Sequence, residues 1–186
     1  MKLIKTEIRD LYIIEPAVFG DDRGYFLESF NLEFFEKNLG HIEFVQDNES
    51  KSSRGVLRGL HFQKPPFEQA KLVRCIEGRV LDVAVDVRKG SPTYGKHLAV
   101  ELSGANKKQL FIPRGFAHGF IVMSKNAVFA YKVDNIYAPA FDSGIRYDDK
   151  GLNIDWGLKS DEVHLSEKDR NLSHFKDFES PFNYQI

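Results

Sequence analysis

Apolar residues recur at every second position along much of the chain, the spacing of a strand with one buried face. In "VLDVAVDV" Leu81, Val83, Val85 and Val87 share one face, and Asp82, Ala84 and Asp86 the other. "HLAVELS" groups Leu98, Val100 and Leu102, and "AVFAYKVDN" groups Phe129, Tyr131 and Val133. Turn-forming clusters separate these runs at Glu77 to Arg79, Lys89 to Gly95, Ser103 to Asn106 and Ser124 to Asn126. Strands at this spacing predict a mainly β chain folded as an antiparallel sandwich or barrel. Helices are few, short and peripheral. One is expected over Asn31–Asn38, with Leu32 and Phe35 on its apolar side. Another opens near Ser166, which with Asp169 three positions on has the form of a capping pair. From Ala138 to Leu165 the periodicity fades, and a connection of that length is functional or wraps the body.

With 186 residues the chain is expected to form a single domain, residues 1–186. An N-terminal arm occupies about residues 1–45 and a C-terminal wrapping segment about 138–186. Lys and Arg number 26 against 27 Asp and Glu, so no global field exists to hold nucleic acid or an anionic membrane, and any anion site must be local. The first residues lack the apolar run of a signal peptide, no stretch has the length and apolarity of a membrane span, and Cys75 is the only cysteine. A cytoplasmic location follows as the expectation. No Gly-rich phosphate loop, G-x-S-x-G or His-Glu-x-x-His occurs, which removes most nucleotide-hydrolysing and hydride-transfer classes.

"LFIPRGFAHGF" is the strongest fold signal, because Pro113, Gly115 and His118 reproduce the P-x-G-x-x-H signature of the cupin superfamily, a double-stranded β-helix of jelly-roll form. Metal cupins pair that histidine with an earlier His-x-His and a carboxylate. This chain has no His-x-His, and the earlier strand offers only His61, so no metal is expected. His118 is then either a hydrogen-bonded core histidine or a wall of the cavity. In "GVLRGLHFQ" alternation puts Gly55, Leu57, Gly59, His61 and Gln63 on one face, where the two glycines leave room for a ligand beside His61. Strict alternation also sends Arg58 to the opposite face. If both meet one ligand, either a bulge at Gly59 redirects the strand or one of them serves a neighbouring subunit. Lys71 lies with Val73 and Cys75, as a solvated lysine or a site cation. Tyr131 is a core tyrosine or a hydroxyl aimed at the site. The polar groups of "DDRGYFLESF" and "VQDNES" suit a polyhydroxylated or phosphorylated ligand, arginine forks matching phosphate oxygens.

Over nearly its whole length the chain resembles the dTDP-4-dehydrorhamnose 3,5-epimerase family of cupin-fold sugar-nucleotide enzymes. The likeness is carried in order by "DDRGYFLESF", "VQDNES", "GVLRGLHFQ", "QAKLVR", "GRVLDVAVDVRKGSPTYG", "QLFIPRGFAHGF", "YKVDNIYAP", "DSGIRYDD", "NIDWG" and "LSEKD". The resemblance implies His61 as the base, Asp169 as its orienting partner, Tyr131 as the acid on the opposite face and Lys71 as the cation on the enolate oxygen. It implies Arg23, Glu28, Gln46, Asp47, Asn48, Arg58, His118, Asp142 and Lys168 as binding residues for a dTDP-sugar. It further implies no cofactor and a homodimer with exchanged strands. Asp142 stands where many members have glutamate, Glu49 replaces the histidine of "QDNHS", and Asn153 departs from Gly-Ile-Asp-Trp. The rival expectations are a single-site epimerase, a metal-dependent cupin oxygenase and a non-catalytic sugar-nucleotide binder.

Overall fold

The structure is a computed structural model and describes residues 1–184; the last two residues of the expected wrapping segment lie outside the described residues. The alternating runs become strands in chain order: β1 (Lys2–Lys5), β2 (Tyr12–Glu15), β3 (Val18–Asp21), β4 (Gly24–Leu27), β5 (Gln46–Ser53), β6 (Leu57–Gln63), β7 (Lys71–Glu77), β8 (Arg79–Asp86), β9 (His97–Ser103), β10 (Gln109–Ile112), β11 (Phe116–Val122), β12 (Asn126–Val133) and β13 (Asp142–Gly144). They form a six-stranded sheet ordered β1-β2-β10-β7-β12-β5 and a five-stranded sheet ordered β13-β6-β11-β8-β9, with β3 and β4 as a separate hairpin. All pairings between these strands are antiparallel, and the two large sheets pack face to face as the jelly roll that the cupin signature predicts.

Val73, Cys75, Leu110 and Ile112 of one sheet meet Val80, Ala84, Leu102 and Val122 of the other between the layers. Across that interface the rings of Phe120 and Phe129 stack with centroids 4.1 Å apart. The valine face of "VLDVAVDV" does not join this core. Val83, Val85 and Val87 point to the far side of the five-stranded sheet, beneath Ile145, Leu152, Trp156 and Phe182 of the C-terminal segment. β8 is therefore buried on both faces, and its polar side, with Asp82, turns toward the space between the sheets.

On the outer face of the six-stranded sheet lies α1 (Leu32–Leu39), whose start is fixed by the Asn31 side chain accepting from the Phe34 N–H at 2.9 Å. Phe35 is fully buried against Phe111, Leu72 and Ile14, but Leu32 is half exposed. The buried seam runs at i, i+4 through Phe35 and Leu39, which corrects the expected Leu32–Phe35 face. The second helix, α2 (Glu167–Arg170), is a single turn capped by Ser166. No helix among the described residues is long and apolar enough to cross a membrane.

Candidate active site

β6 pairs with β11 so that His61 faces His118 and Arg58 faces Phe120, with Gly59 and Leu60 of one strand opposite Gly119 alone on the other. The additional residue is a bulge at Gly59 and Leu60, and it brings Arg58 and His61 to the same side, where both line a cavity of about 550 Å³. Gly59 has φ +146°, and a Cβ there would come within 2.5 Å of the Gly119 Cα, so the two strands cross at a point only glycine can occupy. The two glycines near His61 thus do not clear space for a ligand, contrary to the expectation from alternation. At Gly59 the space is taken by β11, and at Gly55 by the backbone carbonyl of Glu162, which a Cβ would meet at 2.2 Å. The room for a ligand comes instead from the gap between the two sheets.

Into that gap the five-stranded sheet sends His61 and His118, and the six-stranded sheet sends Lys71 from β7, Tyr131 from β12 and Ser50 from β5. α2 and the turn before it close one end with Ser166, Lys168 and Asp169. His61 Nε2 lies 2.5 Å from Asp169 Oδ1. A carboxylate there accepts from Nε2–H, which leaves the lone pair on Nδ1. Burial alone would raise the Asp169 carboxyl. Hydrogen bonds from His61 and Ser166, together with the Lys168 charge, hold it below the usual carboxylate range.

His118 makes a second pair. Its Nε2 lies 3.0 Å from both oxygens of Asp82, which is fully buried one strand away. His118 is at once a hydrogen-bonded core histidine and part of the cavity wall. Lys71 is pushed down to about 8, chiefly by burial, while Asp142 and Asp82 pull it up and Lys168 adds to the lowering. Burial raises the Tyr131 hydroxyl above its ordinary value; Arg58 works against that rise and Asp142 adds to it. Arg58 donates to Ser52 Oγ at 3.1 Å, and no carboxylate among the described residues pairs with it. It is a cation available to a ligand's anion.

The remaining expected residues fall in three places. Asp142 sits at the rim, ion-paired with Lys168 and accepting from the Tyr137 hydroxyl at 2.9 Å. On β5, Gln46 and Asn48 share the side of Ser50 and bond each other at 2.7 Å, whereas Asp47 points the other way to Lys132 at 2.6 Å. Arg23 and Glu28 are not brought to this cavity within one chain. Arg23 pairs with Asp21 at the exposed tip of the β3–β4 hairpin, and Glu28 accepts from Asn31 beside α1. Asp82, Ser50, Ser166 and His164 also contribute to the site and were not singled out for it from the sequence. The usable signal for Asp82 was an acid inside a strand whose both faces are buried, which demands a partner. Among the described residues no cluster of three or more His, Cys, Asp or Glu is placed to hold a metal ion.

Residues 5–177 match the family model described as dTDP-4-dehydrorhamnose 3,5-epimerase. A curated enzyme of that description from Shigella flexneri is 56% identical over 178 residues, covering 95% of this chain and 97% of its own. The crystal structure of the dTDP-4-dehydrorhamnose 3,5-epimerase from Elizabethkingia anophelis NUHP1 superposes with a TM-score of 0.91 at 56% identity, covering 95% of this chain and 97% of that one. A dTDP-6-deoxy-D-glucose-3,5-epimerase from Legionella pneumophila Philadelphia 1, solved in complex with dTDP-4-keto-L-rhamnose, superposes at 0.95 with 48% identity over 100% of this chain and 99% of its own.

Proposed function

Because the chain belongs to the dTDP-4-dehydrorhamnose 3,5-epimerase family, we propose that His61 and Tyr131 invert two carbons of a sugar nucleotide from opposite walls of the cavity. The enzyme is an isomerase of rhamnose biosynthesis, converting dTDP-4-dehydro-6-deoxy-D-glucose into dTDP-4-dehydro-L-rhamnose by epimerisation at carbons 3 and 5. The observation that carries the division of labour is the placing of His61 on the five-stranded sheet and of Tyr131 and Lys71 on the facing one.

His61 Nδ1 takes a proton from the carbon beside the 4-keto group, and the C–H electrons move onto the carbonyl oxygen. The enolate so formed is held by the Lys71 ammonium. Asp169 fixes the imidazole's tautomer and stabilises the imidazolium. Tyr131 returns a proton to the carbon from the other face; burial holds its hydroxyl above the ordinary value, so it still carries its proton when the enolate forms. Proton exchange with solvent then returns the imidazolium to imidazole and the tyrosinate to tyrosine, and repetition at the second carbon completes the double inversion. The ketone is already present in the substrate, so the reaction needs no cofactor and no redox step. Arg58 takes the diphosphate, with Lys168 and Asp142 at the rim, His118 along the wall and Gln46 and Asn48 further along β5.

Arg23, Glu28 and Asp47 enter this reading through a second subunit. The β3–β4 hairpin carries Phe19 and Phe26, each 66% exposed, next to Arg23, and β5 is the open edge of its sheet. Apolar strands that project this far favour a homodimer with exchanged strands, which would bring one chain's arm to the other chain's cavity. Sedimentation at low micromolar concentration should show a dimer; a clean monomer refutes this arrangement. A buried, unreactive Cys75 thiol, pushed up to about 11 mainly by burial, fits a reducing cytoplasm.

Turnover in heavy water tests the chemistry directly. Deuterium should appear at both carbon 3 and carbon 5. Label at one carbon alone would make the enzyme a single-site epimerase, and label at neither would leave only a sugar-nucleotide binder.

A further inference from the structure

We propose that Ser166 is a positioning residue for proton transfer: its hydroxyl holds Asp169 in the one orientation that presents a carboxylate oxygen to His61. The inference rests on the reading of His61 as the base. Ser166 closes the turn before α2, and its Oγ accepts from the Asp169 backbone N–H at 3.1 Å, which is all that a helix cap requires. The same hydroxyl also donates to Asp169 Oδ2 at 2.8 Å, on the oxygen not used by His61. Both polar ends of the serine hydroxyl are thus spent on one residue.

Asp169 is 3% exposed, and among the described residues Ser166 is the side chain that bonds its Oδ2. The terminal torsion of an aspartate is broad, so a carboxylate bonded at one oxygen can swing. Bonded at both, it is fixed with Oδ1 toward the imidazole. The Ser166 bond also favours the ionised carboxylate, against the burial that opposes it. The charged groups acting on Asp169 are His61 from β6 and Lys168 from its own helix.

Three variants separate positioning from capping. Ser166→Gly removes the hydroxyl, yet glycine is tolerated at an N-cap at a cost of only about a few tenths of a kcal/mol. Ser166→Thr keeps both hydrogen bonds, and His61→Ala tests the underlying reading. Expected for Ser166→Gly is a fall in kcat of about tenfold, the scale of one hydrogen bond to a charged group, with KM and melting temperature nearly unchanged. A residue that only capped the helix would instead move the melting temperature and leave kcat alone. Ser166→Thr should restore kcat. A Ser166→Gly enzyme within twofold of wild type overturns the inference, as does failure of threonine to restore kcat. If His61→Ala itself turns over normally, the base assignment falls first, whatever Ser166 does.

Discussion

The cavity holds two histidine–aspartate pairs made of the same side chains, bonded at 2.5 Å for His61–Asp169 and 3.0 Å for His118–Asp82, and they differ in what surrounds them. His118 and Asp82 lie on neighbouring strands of one ladder, with side chains 9% and 0% exposed. Their geometry is set by register and cannot adjust without breaking the sheet. His61 is 28% exposed, and its carboxylate arrives from 108 residues away on a one-turn helix that is held by the Ser166 cap. One pair is locked into the core, while the other opens to the ligand and owes its alignment to side-chain bonds. A base must both reach substrate and exchange its proton, which only the second pair permits.

The comparison is broken most sharply by removing each imidazole in turn. His61→Ala should lower turnover by about 10²- to 10⁴-fold, the usual range for a general base. Its stability should change little, because Asp169 keeps Ser166 and the Lys168 charge. His118→Ala should do the reverse. It leaves Asp82 fully buried without its partner, a loss of about 1–3 kcal/mol in stability, with a smaller loss of rate than His61→Ala. Denaturant titration beside steady-state kinetics reads both. Equal rate losses with equal stabilities would erase the distinction.

How much of this was legible in the sequence follows the range of the interactions. Period-two runs and turn clusters located the strands, and Ser166 announced the start of the second helix, because those signals lie within a few residues. The bulge was foreseeable as one of two ways for Arg58 and His61 to share a ligand. The reason for Gly59 was not, since it depends on Gly119 crossing it, sixty positions along the chain. Likewise, β8 could not disclose that its valines face outward until the C-terminal segment was seen to cover them. The pairing of His61 with Asp169 came from the family resemblance alone, as nothing local in "LSEKD" points to a strand so far away. Arg23 and Glu28 mark the same limit from the other side: one chain does not bring them to the cavity at all.

Lys71 sharpens the contrast by pH. Its ammonium is pushed down to about 8, mainly by burial, between carboxylates that raise it and Lys168, which lowers it further. An enolate needs the charged form, so kcat/KM should fall as pH rises through about 8. Tyr131 cannot cause that limb, because its hydroxyl titrates above the ordinary tyrosine value of about 10. Lys71→Arg, which keeps its charge at every accessible pH, should abolish the limb, and Lys71→Met should cost about 10²- to 10³-fold at all pH values, as loss of an oxyanion partner does. The folded protein moves the opposite way. Between about 8 and the unfolded lysine value of about 10.4 the unfolded chain binds more protons at this position than the native one, so this group's contribution to stability rises with pH while activity falls. Activity lost above pH 8 by a protein that melts no lower is the signature of a titrating Lys71 rather than of alkaline unfolding, and a falling melting temperature over the same window would assign the limb elsewhere.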